Sequence, residues 1–275
     1  MVFFISKDKA LKMLWKITKN EKQSFLVGTA HFFPYSVKKS LRRLMDKIDI
    51  VLIEGPLDES NMDAVRQDAL EKGALPSLYD ALPSEVISFL NKEVDVSHSS
   101  SSVPFVDLFH KKTEDILKRE IDGLKGWMAF FKIWSYFLGK RGWTYSVDLE
   151  ALDVARQMGK EIYYLETIEE QIAALNGIPF EGIVNFFKCA KKWEYFAKRH
   201  AETYLRGDYE LMIRETLCFP TRCESIIEKR DPKLFERMMP YVGRGCTGVF
   251  VGTTHIGGIL RMLEKEGYIV SQCRI

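Results

Sequence analysis

Apolar residues along the chain fall into two rhythms, and their alternation predicts the elements. "LWKIT", "KNEK" and "QSFLVG" read as two strands of an antiparallel hairpin around a polar turn. Pro34 and Tyr35 break that pattern. In "SVKKSLRRLMDKI" the apolar residues Val37, Leu41, Leu44, Met45 and Ile48 recur at helical spacing and predict one buried stripe. "DIVLIEGP" is a short, continuously apolar strand that ends at Glu54, with Gly55-Pro56 as the breaker. Strand, helix and strand in so short a stretch predict a parallel βαβ unit.

Residues 60–92 and 106–140 read as mainly helical, separated by a serine-rich loop at 95–105. The second stretch holds "GWMAFFKIWSYF", whose aromatics suit core packing first and a substrate cleft or membrane contact second. "VDLEALDVARQMGK" predicts a helix ending near Gly159, and "EIYYLE" a strand. A capping box at Thr167 and Glu170 then starts a helix that stops at Gly177. One long helix is expected over roughly 181–206, and another ending before Pro240. "GVFVG", "IGGILRMLEKEG" and "YIVSQ" close the chain as strand, helix and strand. The expected fold is α/β: one domain over 1–275 on a parallel or mixed sheet flanked by helices, with a mostly helical insertion at about 60–145.

The chemistry enters where strands stop. Two apolar runs end in the same Gly-Thr-x-His, Gly28 to His31 and Gly252 to His255, in a chain with five histidines. One such tetrad is expected by chance in about a few of every hundred chains this long, so a pair is informative. In parallel sheets, ligands bind outside the carboxyl ends of the strands. His31, Glu54, Glu166 and His255 all stand at such ends. Two imidazoles and a carboxylate suit a divalent metal with an open water position, which makes His31, Glu54 and His255 the candidate ligands. The same set works without metal, with a histidine as general base and Glu54 orienting it. Gly28 and Gly252 permit close backbone approach to a bound group, and Glu166 is a further candidate for the site's lining. Both motif histidines are expected in loops where core packing is slight. His98, His110 and His200 read as solvated, and Cys218 and Cys223 lack the partner pair of a structural zinc site.

Composition narrows the class. Hydrophobic residues make up 46% and charged residues 28%, as in soluble globular proteins. With 40 basic against 38 acidic residues there is no electrostatic footprint for nucleic acid. Neither a signal peptide nor a transmembrane segment is predicted, and five cysteines without a C-x-x-C read as reduced thiols of a cytoplasmic protein.

The quoted segments, together with "YLRGDYE", "EKRDPKLFERM" and "VFVGTTHIGGILRMLEKEGYIV", resemble the TraB/PrgY/GumN family over roughly residues 12–273. That family also contains the Tiki metalloproteases, and its distant relatives include the erythromycin esterases and the haem-binding ChaN proteins. The resemblance places the family's two motif histidines on His31 and His255 and its glutamate on Glu54. Its Arg-Asn pair falls on Arg230-Asp231, where this chain departs from Asn; Arg230 becomes a candidate oxyanion or carboxylate anchor. It implies a hydrolase of peptide or ester bonds acting on a peptide or small-molecule substrate, with manganese or cobalt as the divalent metal; the two-histidine, one-carboxylate set also suits zinc. The alternatives are a metal-independent esterase and a binding protein that sequesters a peptide or haem-like ligand. TraB and PrgY members carry membrane segments, which the hydropathy here does not predict.

Overall fold

The structure is a computed structural model that describes residues 8–56, 59–70, 77–94 and 115–275. The hairpin forms as expected: β1 (Leu14–Lys19) and β2 (Lys22–Thr29) pair antiparallel across Asn20-Glu21, both at positive φ. That is the twist a two-residue hairpin turn requires. Helix α1 (Lys38–Met45) follows, with Leu41, Leu44 and Met45 buried on the predicted stripe. Strand β3 (Ile50–Ile53) then runs parallel to its neighbours.

The predicted βαβ unit is real but not adjacent. Strand β5 (Thr247–Gly252) lies between β2 and β3 and pairs parallel with both. With β4 (Glu161–Tyr164) and β6 (Ile269–Gln272) the six-stranded order is β4-β3-β5-β2-β1-β6. β4, β3, β5 and β2 are mutually parallel, while β1 runs against β2 and β6, so the sheet is mixed. β2, β3 and β5 are buried along most of their length, whereas β4 and β6 form the exposed edges.

Helix α6 (Val147–Gln157) packs beside α1, and α11 (Asp231–Val242) packs beside α12 (Ile256–Lys265). Right-handed crossovers put α1 and α6 on one face of the sheet and α11 and α12 on the other. The connection out of β5 therefore leaves on the face opposite to those of both its neighbours. That is a topological switch point, and a crevice opens outside the carboxyl ends there.

The remaining helices build a second apolar core. They are α2 (Glu59–Asp68), α3 (Ser84–Val94), α4 (Ile116–Ile121), α5 (Gly126–Gly139), α7 (Ile168–Asn176), α8 (Phe180–Lys188) and α9 (Trp193–Arg206). Helix α10 (Tyr209–Glu215), which hydrophobic rhythm did not predict, bridges back to α9 and α12. The helical stretch expected over 60–92 is two helices, α2 and α3. The serine-rich loop, His98 and His110 lie outside the described residues.

Two helix boundaries differ from expectation. The helix expected over 181–206 is broken by a 3₁₀ turn at Ala190–Lys192. The break turns Trp193 inward, where its indole N–H donates to the helix-end carbonyl of Phe186 at 3.1 Å and its ring contacts Trp134, Phe137, Phe186 and Phe187. Pro240 lies inside α11 rather than beyond it. In the last turn a proline forfeits one backbone hydrogen bond, a small loss where the helix is already ending. The capping box at Thr167 and Glu170 and the stop at Gly177 both form.

Candidate functional site

Register brings the two Gly-Thr-x-His motifs together. Thr29 pairs with Gly252, so the second motif runs one residue ahead of the first, and Thr253 N–H extends the ladder to Thr29 C=O at 3.1 Å. On the other side Glu54 N–H donates to Phe250 C=O, and Glu166 N–H to Glu54 C=O. The ladders thus continue past the strands and set both glutamates at neighbouring ends.

Arg230, at the N-terminal end of α11, inserts between them. Its Nε donates to both oxygens of Glu166 at 2.9 and 3.1 Å, and its Nη2 reaches Glu166 Oε2 and Glu54 Oε1 at 2.5 Å each. The side chain is buried and anchors two carboxylates. Its Nη1 has no protein acceptor among the described residues. Glu54 Oε2 accepts the N–H of Gly252 at 2.6 Å, so each of its oxygens is engaged. Burial opposes the charge on Glu54, but Arg230 and His255 together hold its carboxyl well below the usual range.

The histidines have parallel environments. His31 Nδ1 lies 3.0 Å from Asp148 Oδ2, and His255 Nδ1 lies 2.6 Å from Asp231 Oδ1. Each aspartate occupies the first turn of a helix, α6 and α11 respectively. His255 Nε2 stands 3.6 Å from Glu54 Oε1, whereas His31 Nε2 has no protein partner among the described residues. Asp148 is the main reason the His31 pKa rises to about 9. For His255, burial favours the neutral ring, but Glu54 and Asp231 outweigh it and raise the pKa.

Exposure separates the pair. The His31 side chain is 57% accessible, while His255 is 1% exposed and packed beneath the strand ends. The expectation that both histidines sit where packing is slight fails for His255. It is the residue just before α12, and that helix lies on the sheet.

A cavity of about 380 Å³ opens between the sheet's carboxyl edge and the helical core. His31, Glu54, Arg230, Gly252 and His255 form its polar end. Trp127, Phe130 and Trp134 of α5 line it while also belonging to the helical core, so the aromatic stretch serves packing and cleft together. Gly28 and Glu166 stand behind the lining: the Gly28 carbonyl accepts the Tyr204 hydroxyl at 2.7 Å, and Glu166 acts through Arg230.

His200 corrects a reading. It is not solvated but lines the cavity against Trp143, and burial, with Arg222 adding to it, lowers its pKa to about 4. Asp148 and Gln171 carry no signal of their own in the sequence, and Asp231 is marked there only as a departure from the family's Arg-Asn pair. Both aspartates stand inside segments whose helical rhythm was recognised, but only the folded chain shows which histidine each meets. Gln171 packs so tightly on Gly55 that a Cβ there would lie 2.0 Å from its Nε2.

As folded, the donor set does not fit a divalent ion. Among the described residues no three His, Cys, Asp or Glu side chains stand close enough to hold one, and the Arg230 cation already occupies the face of Glu54.

The fold and these contacts define an α/β protein with a buried carboxylate–guanidinium–imidazole network at the switch point of a mixed sheet. The chain belongs to the TraB/PrgY/gumN family, whose family model matches residues 13–272. No curated protein is significantly similar to it. Among the described residues no helix is long and apolar enough to cross a membrane.

Proposed function

We propose that the protein hydrolyses a carboxylic ester or amide, with His31 as the group that moves the proton. The observation that carries this reading is the His31–Asp148 contact. Asp148 fixes the ring through Nδ1 and leaves Nε2 free beside the cavity. A neutral His31 takes a proton from water as the water oxygen bonds to the carbonyl carbon. The displaced electron pair goes to the carbonyl oxygen, where Arg230 Nη1–H can donate, aided by the positive end of α12. Collapse of that adduct breaks the bond to the leaving group, which receives the proton back from His31. Glu54 and Glu166 hold Arg230 in place.

A divalent ion is the second reading. It is favoured by one observation, that both imidazoles have Nδ1 tied to a carboxylate, as metal-ligating histidines commonly do, with Nε2 free on His31 and turned to Glu54 on His255. It requires Glu54 to give up Arg230. A panel of esters and peptide amides, run with and without EDTA beside elemental analysis, tests both. Turnover that survives EDTA and falls roughly 10²–10⁴-fold in His31→Ala supports the first reading. Turnover that tracks bound metal supports the second. No turnover under any condition leaves a binding protein.

A further inference from the structure

Away from its polar end, the cavity is built from apolar and neutral groups. Phe32, Trp127, Phe130, Phe131, Trp134 and Trp143 supply most of the wall, with Val65, Leu175 and Phe219 between them. Its charged lining residues, Glu54, Arg230, His31 and His255, all stand at the ends of β2, β3 and β5 or on the α11 terminus that meets them. His200 on the far wall is uncharged at neutral pH, held so by burial and by Arg222. Gln171, Thr221 and Thr254 add neutral hydrogen-bonding groups. A charge carried into that wall would lose its hydration with no charged lining residue to pair with it. An aromatic or branched aliphatic group would instead gain burial against flat ring faces.

Size sharpens the class. A volume of about 380 Å³ stands near the small end of ligand pockets, enough for one bulky group and too little for a folded chain segment. We infer that the cavity receives an uncharged aromatic or bulky aliphatic group of the substrate, carried next to the bond that meets the His31, Glu54 and Arg230 end. The inference rests on the hydrolase reading for the fate of that group but not for its binding.

The test measures binding, with a parallel product assay so that any hydrolysis of the amide is counted separately. Isothermal titration of the whole protein with 2-naphthylacetamide, acetamide and the 6-carboxylate of 2-naphthylacetamide compares apolar size and charge on one scaffold. The expected affinity for 2-naphthylacetamide is about 30-fold or more above that for acetamide, and the carboxylate weakens it at least about tenfold. Val65→Trp, which fills the cavity, and Phe131→Lys, which charges its wall, each alter a partly exposed position. Each should weaken binding by about tenfold or more, and thermal unfolding of each variant checks that the fold is kept. Equal affinity for the naphthyl and methyl amides overturns the inference, as does equal binding of the carboxylate. So does a wild-type affinity that survives both substitutions. Selective binding without hydrolysis of 2-naphthyl esters or amides refutes the hydrolase reading and leaves the binding inference standing.

Discussion

His255 and Asp231 meet at 2.6 Å because position 258 carries no side chain: a Cβ there would lie 1.7 Å from Asp231 Oδ2. The second glycine of "HIGGI" therefore lets α11 bring its first carboxylate against the motif histidine. In an ordinary helix interior, glycine to alanine stabilises by about 1 kcal/mol. Gly258→Ala is expected to do the reverse, with a loss of roughly 1–3 kcal/mol from overpacking. Urea unfolding of the variant checks the sign, and a stabilised Gly258→Ala would mean that the contact is not enforced by Gly258.

The two histidines should respond differently to deletion. His255 is buried and bonded to Asp231, so His255→Ala leaves a cavity and an unpartnered buried carboxylate. A destabilisation of about 2–4 kcal/mol is expected. The His31 ring itself is exposed, but His31→Ala leaves the buried Asp148 with only Ser146 beside it among the described residues, so a smaller loss of about 1–2 kcal/mol is expected. Loss of turnover in His31→Ala with the fold kept separates chemistry from stability.

Proton uptake gives a third expectation. The His31 pKa is raised to about 9, chiefly by Asp148, from the ordinary 6.5. As general base His31 must be neutral, so kcat/KM should climb with pH up to about 9 and then level. Asp148→Asn removes the charge that raises the pKa, and the rising limb should shift toward 6.5 while the plateau falls. Stability moves the other way. The gain from protonated His31 is complete below 6.5 and disappears as pH rises through about 9, so the melting temperature should decline across that window. The decline should be smaller in Asp148→Asn.

Arg230 holds two carboxylates at once, which makes its removal costlier than that of either partner. Arg230→Met leaves Glu54 and Glu166 buried side by side without a cation, and a loss of about 3–5 kcal/mol is expected. Glu54→Gln keeps the shape and leaves Arg230 on Glu166, so it should cost clearly less. Denaturation of the two variants beside wild type checks the order, and an equal or reversed order would mean that Arg230 is not the shared counter-ion.

The hydrophobic rhythm determined what is local. It predicted the hairpin, the α1 stripe, the capping box at Thr167 and the strands that end at Glu54 and in the two motifs, because each depends on residues a few positions apart. The repeated Gly-Thr-x-His likewise marked His31 and His255 as neighbours-to-be, since parallel strands in one sheet end on the same side. Tertiary structure decided the rest. The insertion of β5 between β2 and β3 created the switch point, and no local pattern encodes which strands pair. Neither the helical rhythm around Asp148 nor the family match at Asp231 reveals which histidine each meets; folding lays their helices beside His31 and His255. His200 looked solvated among lysines and arginines, yet the turn of α9 sets it against Trp143 in the cavity wall. Spacing fixes which face of an element a residue occupies; what that face meets depends on elements distant in the chain.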